Sequence, residues 1–200
     1  MRQGRARQAL GKLMAEVGDP DEARLPVSVQ LPAEVQALRP VLGAVGGARI
    51  SGYRVTFHER EPLRFLMGGW LEAMVFREVE AAFAGRADVD VAATYEPRRI
   101  GGRTTETDFD LLVFGNDMLA LAECKAITGT KKRFREAVNK LANYRKELAG
   151  QGGGAWIVAP LLTEDDWRPM ADQVKSAGVR VLHGPEAVAQ LVIELRRMFR

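Results

Sequence analysis

One cysteine and two histidines among 200 residues remove several chemistries at the outset. A lone thiol cannot build a disulfide framework, and an unpaired one fits a reducing compartment. Cys124 has neither His58 nor His183 near it in the pattern to act as its base, so it reads as a small core hydrophobe rather than a nucleophile. No apolar run reaches the ~18 residues that a membrane-spanning helix needs. The N-terminus also lacks the apolar core of a signal peptide. The expectation is a soluble, cytoplasmic chain with no membrane partner. Charge of one sign is scarce too: a formal net charge of +3 and a pI near 9.2 permit nucleic-acid binding without demanding it. No repeat or low-complexity segment is present, and the length suits one full domain plus a small appendage.

The chemistry is concentrated in one stretch: Thr107-Asp108-Phe109-Asp110-Leu111-Leu112-Val113-Phe114, a turn at Gly115-Asn116-Asp117, then Met118 to Lys125. Side chains alternate faces along a strand, so Asp108 and Asp110 share a face, as do Glu123 and Lys125. With Asn116-Asp117 as a two-residue loop, Gly115 pairs with Met118. That register places Asp110 opposite Glu123 and Asp108 opposite Lys125. Opposed Cβ atoms lie about 5 Å apart, and two carboxylates that close repel unless one is protonated or a cation stands between them. Oxygen donors favour Mg2+ or Mn2+ over zinc. Asp108 reads either as a further carboxylate of the site or as the partner that neutralises Lys125. Lys125 is a cation two residues from a carboxylate that could ligate such an ion.

Glu123-Cys124-Lys125 thirteen positions after Asp110, preceded by Gly68-Gly69-Trp70-Leu71-Glu72, resembles the motif of the PD-(D/E)XK nuclease superfamily. More narrowly, it is similar to the nuclease domain of CRISPR accessory effectors activated by cyclic oligoadenylates. The resemblance implies a restriction-endonuclease-like α/β core, a mixed sheet flanked by helices, over residues 61–200, and a metal-dependent endonuclease. It implies Glu72, Asp110, Glu123 and Lys125 as catalytic residues, with the metal on Asp110, Glu123, the backbone carbonyl of Cys124 and Glu72, the last directly or through water. A homodimer is implied as well. Those effectors carry a cyclic-nucleotide sensor of a size that residues 1–60 do not offer, so either such a sensor is on another chain or this is a stand-alone relative. Glu72 also argues for itself: it shares a helical stripe with Val75, Phe76, Val79 and Phe83, where a carboxylate is costly to bury without a metal or an arginine partner.

Around the motif, hydrophobic periodicity predicts a basic helix over residues 1–17, a helix from Pro32 to about Leu42, and a hairpin over 48–57 with Ser51-Gly52 at its tip. These make a small helix-plus-hairpin appendage over 1–60, winged-helix-like or a plain cap. Helices are then expected over about 69–84, 131–148, 163–177 and 185–197, and strands over about 88–96, 156–159 and 179–182. Two basic segments flank the motif: Arg98, Arg99 and Arg103 before it, and Lys131, Lys132, Arg133 and Arg135 after it. They are candidate phosphate contacts or simply solvated charge, and Tyr144 is a candidate support. On the last helix Val188, Leu191, Val192, Leu195 and Met198 form an apolar face that serves the core or a partner copy. A restriction, repair or junction-resolving nuclease of the same fold, or a non-catalytic nucleic-acid-binding module, are the competing functions.

Overall fold

The structure is a computed structural model that describes residues 2–17, 23–44, 46–95, 109–126, 131–149 and 152–200. The chain forms two compact units, Met1–Trp70 and Leu71–Arg200. In the first, α1 (Arg2–Val17) buries Leu13, Met14 and Val17, the apolar stripe of the basic helix. Strand β1 (Val27–Gln30) is followed by a 3-10 turn (Ala33–Leu38), the short helix α2 (Arg39–Ala44), and the hairpin of β2 (Ala48–Ser51) and β3 (Arg54–Phe57). The single helix expected from Pro32 is thus split. Pro40 has no N–H and suits only a helix's first turn, so α2 starts afresh at Arg39. The hairpin tip is Gly52-Tyr53 rather than Ser51-Gly52, because Ser51 pairs with Arg54. The stretch Val27–Gln30 pairs antiparallel with β3, giving sheet order β1-β3-β2. Val55, Phe57, Leu31 and Leu42 fill its core, together with Leu63 from α3 (Arg60–Arg64). A π-helical segment, Phe65–Gly69, leads to α4 (Trp70–Phe83).

The second unit is built on a five-stranded sheet of order β4-β5-β6-β7-β8: Val89–Tyr95, Phe109–Gly115, Met118–Cys124, Gly154–Ala159 and Arg180–His183. The first three strands are antiparallel; β6, β7 and β8 are parallel. Between β5 and β6, Asn116 and Asp117 both take positive φ, 51° and 58°. Two consecutive left-handed residues make a turn of type I′ geometry, whose twist matches that of the strands it joins. Asn and Asp tolerate this conformation better than other non-glycine residues.

Helices cover both faces of the sheet. Ala155, Ile157 and Ala159 join the core formed with Phe134, Val138 and Leu141 of α5 (Lys131–Tyr144) and Val174 of α7 (Ala171–Ala177). Trp156, which alternates with them, donates its indole N–H to Glu194 of α8 (Ala187–Met198). Such two-sided burial is why β7 is apolar throughout.

The helix expected over 163–177 is broken into α6 (Glu164–Trp167), a 3-10 turn (Arg168–Met170) and α7. Pro169 supplies the break. Its start follows expectation, with the Asp166 carboxylate accepting from Thr163 N and Oγ1, both at 2.6 Å. On α8, Val188, Leu191 and Leu195 are buried within this unit, so most of that apolar face belongs to the core.

Candidate active site

The ladder between β5 and β6 runs from Gly115 with Met118 to Leu111 with Ala122. One step further on, it brings Asp110 level with Glu123. The carboxylate oxygen Oδ2 of Asp110 accepts the backbone N–H of Cys124 at 2.6 Å, tying the aspartate to the Glu-x-Lys segment. Glu123 is 4% exposed, the one buried charged side chain among the described residues. A carboxylate there is tolerable only if it is paired. It is paired twice: Oε1 accepts from Lys125 Nζ at 2.6 Å and Oε2 from Lys140 Nζ at 2.8 Å.

Lys140 is a site residue that lies outside the motif. It reaches the site from α5, with Nζ also 5.7 Å from the centre of the Phe109 ring. A signal was present: Ala137, Lys140, Leu141 and Tyr144 follow i, i+3, i+4, i+7 spacing, so the lysine borders the buried face. Tyr144 meets Phe109 edge-on at 4.9 Å and thereby backs the ring beneath Lys140.

The electrostatics show how crowded this point is. Burial, and then the neighbouring Glu123 charge, push the Asp110 carboxyl up to about 7, against the pull of Lys125 and the Cys124 N–H. Glu72 on α4 is part of the same field: burial raises its carboxyl, Lys125 and Lys140 lower it, and Glu123 raises it. No lysine or arginine stands at ion-pair distance from Glu72 among the described residues. The arginine partner considered for it is therefore absent there. For Lys125, burial favours the neutral amine, but Glu123 and Asp110 outweigh it and hold the ammonium above its ordinary value. Burial, followed by the surrounding carboxylates, lifts the Cys124 thiol well up, which keeps it protonated and unreactive.

Asp108, Arg98, Arg99 and Arg103 lie outside the described residues. Lys131 opens α5, while Lys132, Arg133 and Arg135 are exposed on its first turns, Lys132 being 4.0 Å from Glu136. Among the described residues no three His, Cys, Asp or Glu side chains form a ready metal cluster. The donor set is nonetheless that of a hard cation: carboxylates of Asp110, Glu123 and Glu72, and backbone oxygen. The raised carboxyl of Asp110 marks the charge deficit that a cation would remove. The residues fit a divalent ion, provided that a lysine yields an oxygen of Glu123.

A mixed sheet flanked by helices, whose central hairpin joins an aspartate to a Glu-x-Lys and whose preceding helix adds a glutamate, defines the PD-(D/E)XK class of nuclease folds. The chain belongs to the family of Card1-like endonuclease domains, whose model matches residues 59–199. Among solved structures it is similar to protein VC1899 from Vibrio cholerae, with 23% identity and a TM-score of 0.66 over 98% of this chain and 51% of that one. It is also similar to Can2 from Sulfobacillus thermosulfidooxidans in complex with cyclic tetra-adenylate, with 14% identity and a TM-score of 0.64 over 98% and 52%. At these identities the likeness is one of fold, and the chain spans about half the length of either structure. No curated protein matches it. No helix among the described residues is long and apolar enough to cross a membrane.

Proposed function

We propose that this chain is an endonuclease that hydrolyses phosphodiester bonds of DNA or RNA with Mg2+ or Mn2+, in CRISPR-linked antiviral defence. The observation that carries this reading is the link between Asp110 and the Glu123-Cys124-Lys125 segment, with Glu72 in the same electrostatic field, within a Card1-like endonuclease domain. Asp110 and Glu123 would hold the ion with the Cys124 carbonyl, and Glu72 would contribute directly or through water. The chemistry that such an ion would supply there is activation of a water and screening of charge on phosphate. Lys125, kept protonated by its neighbours, orients that water or contacts the scissile phosphate with the donors that Glu123 does not use. Lys132, Arg133 and Arg135, with Lys131 and the Arg98, Arg99 and Arg103 segment, supply sequence-independent phosphate contacts.

Control by a cyclic oligoadenylate, sensed outside these 200 residues, and action as a homodimer complete the reading. The first is supported by the similarity to a Can2 structure that contains cyclic tetra-adenylate. The deciding experiment incubates the chain with single- and double-stranded DNA and RNA, in Mn2+, Mg2+ or chelator, with and without cyclic oligoadenylates. Cleavage confined to the metal-containing reactions, and lost in Asp110→Ala, Glu123→Ala and Lys125→Ala variants that remain folded, is the expected result. Cleavage that persists in excess chelator overturns the mechanism.

A further inference from the structure

A second charged cavity lies away from the carboxylates. It has a volume of about 470 Å³ and opens where Gly152 and Gly153 lead into β7, beside the C-terminal end of α7 and the last turns of α8. Gly154 pairs with Ala120 and Val158 with Cys124. Four residues of strand, about 13 Å, therefore separate this mouth from the Glu-x-Lys end of β6.

Three guanidinium groups line the cavity, Arg145, Arg180 and Arg197, against a single carboxylate, Glu194. That carboxylate is already engaged: its Oε2 accepts the Trp156 indole N–H at 2.6 Å and Arg180 Nη1 at 2.7 Å. Arg145 and Arg197 have no carboxylate partner among the described residues. Two guanidinium groups that no described carboxylate engages, beside a glycine run, make a concave, positively charged wall.

Absent side chains create the room. A Cβ at Gly154 would collide with the Trp156 ring. At Gly178, φ is 66° and Arg145 Nη1 lies 2.5 Å from where a Cβ would stand. A glycine at Gly178 thus lets the helix end in a left-handed residue and lets the arginine lie across it. Guanidinium groups present paired donors that match phosphate oxygens, and confining several of them together is unfavourable until an anion offsets their charge.

The geometry points to a second binding site in this cavity, one that takes phosphate groups through Arg145, Arg197 and Arg180. Two sources share that chemistry, a free nucleotide and the backbone of a nucleic-acid strand. The site is independent of metal at the carboxylates, so it is tested in excess chelator, where the fate of the proposed cleavage mechanism does not enter.

The full chain is titrated with pyrophosphate and ADP by calorimetry, and with a labelled single-stranded oligonucleotide by anisotropy at several salt concentrations. The expected result is binding that weakens about tenfold or more in an Arg145→Gln, Arg197→Gln double variant. If the strand is the source, the slope of log K against log salt also falls by roughly 1.4, about 0.7 for each of two lost phosphate contacts. Weaker pyrophosphate and ADP binding with the strand titration unchanged assigns the site to free nucleotides. Should replacement of Arg145 disturb folding, Arg197→Glu alone, at an exposed position, is expected to reverse the attraction. Undetectable binding by the wild-type chain, or affinities for all probes that are unmoved by these variants, overturns the inference.

Discussion

Lys140 Nζ donates to Glu123 Oε2 at 2.8 Å from a helix seventeen residues further along the chain, while Lys125 holds the other oxygen at 2.6 Å. Each oxygen of the carboxylate accepts from a cation, so a metal ligating Glu123 competes with them. Lys125 follows directly on the end of β6, two residues from Glu123, and is held beside it. Lys140 hangs from α5 by a flexible stem and is the one better placed to withdraw. Replacing Lys140 with Met removes a partner from a buried carboxylate, which costs about 1–3 kcal/mol, and frees an oxygen. The expected outcome is a lower melting temperature in chelator together with a larger upward shift on adding Mn2+. A Mn2+ shift no larger than that of the wild type would mean that Lys140 does not compete with the metal.

Glu72 stands in the field of the site without a cationic partner of its own among the described residues. The Glu72→Gln variant should weaken Mn2+ binding by roughly 10–100-fold, the usual scale for a group that supports a metal's ligands. Its melting temperature in chelator should hardly change. A large melting loss with unaltered metal affinity would make the residue structural.

Asp110 sets the pH behaviour of the metal-free protein. Its folded carboxyl is raised to about 7, above the value near 4 of an unfolded aspartate. Between those two values the folded state binds more protons than the unfolded one, so stability must fall as pH rises through that window. Thermal melts in chelator from pH 4.5 to 7.5 should show this decline, and Asp110→Asn should flatten it. A decline of the same size in the variant would assign the titration to another group.

The basic segments are tested by salt. Neutralising Arg98, Arg99 and Arg103 together should reduce the dependence of log K on log salt for nucleic-acid binding, measured in chelator, by up to about 0.7–0.9 for each lost phosphate contact. An unchanged slope removes that segment from the binding surface.

The hairpin and its register were legible because Asn116-Asp117 is a turn signal with a mechanism, and because period-two burial leaves few registers open. The break at Pro169 was legible in principle, since proline has no N–H to continue a helix; the amphipathic pattern over 163–177 masked it. The association of β1 with β3 was not legible, because pairing across an intervening helix depends on tertiary contacts that no local window contains. Lys140 was only half visible. Periodicity put it at the border of the buried face, but its partner lies on another element, and only the folded packing of α5 against the sheet brings the two charges together.

The turn at Asn116-Asp117 has a bearing on which lengths of chain are tolerated here. Residues in the hairpin can be exchanged for others of similar shape, but none can be added or removed between Asp110 and Glu123 without cost. One extra residue within either strand, between an acid and the turn, would shift that strand by one position and send the aspartate and the glutamate to opposite sides of the sheet. Insertions that surface loops elsewhere absorb freely would here separate the two acids that the site requires.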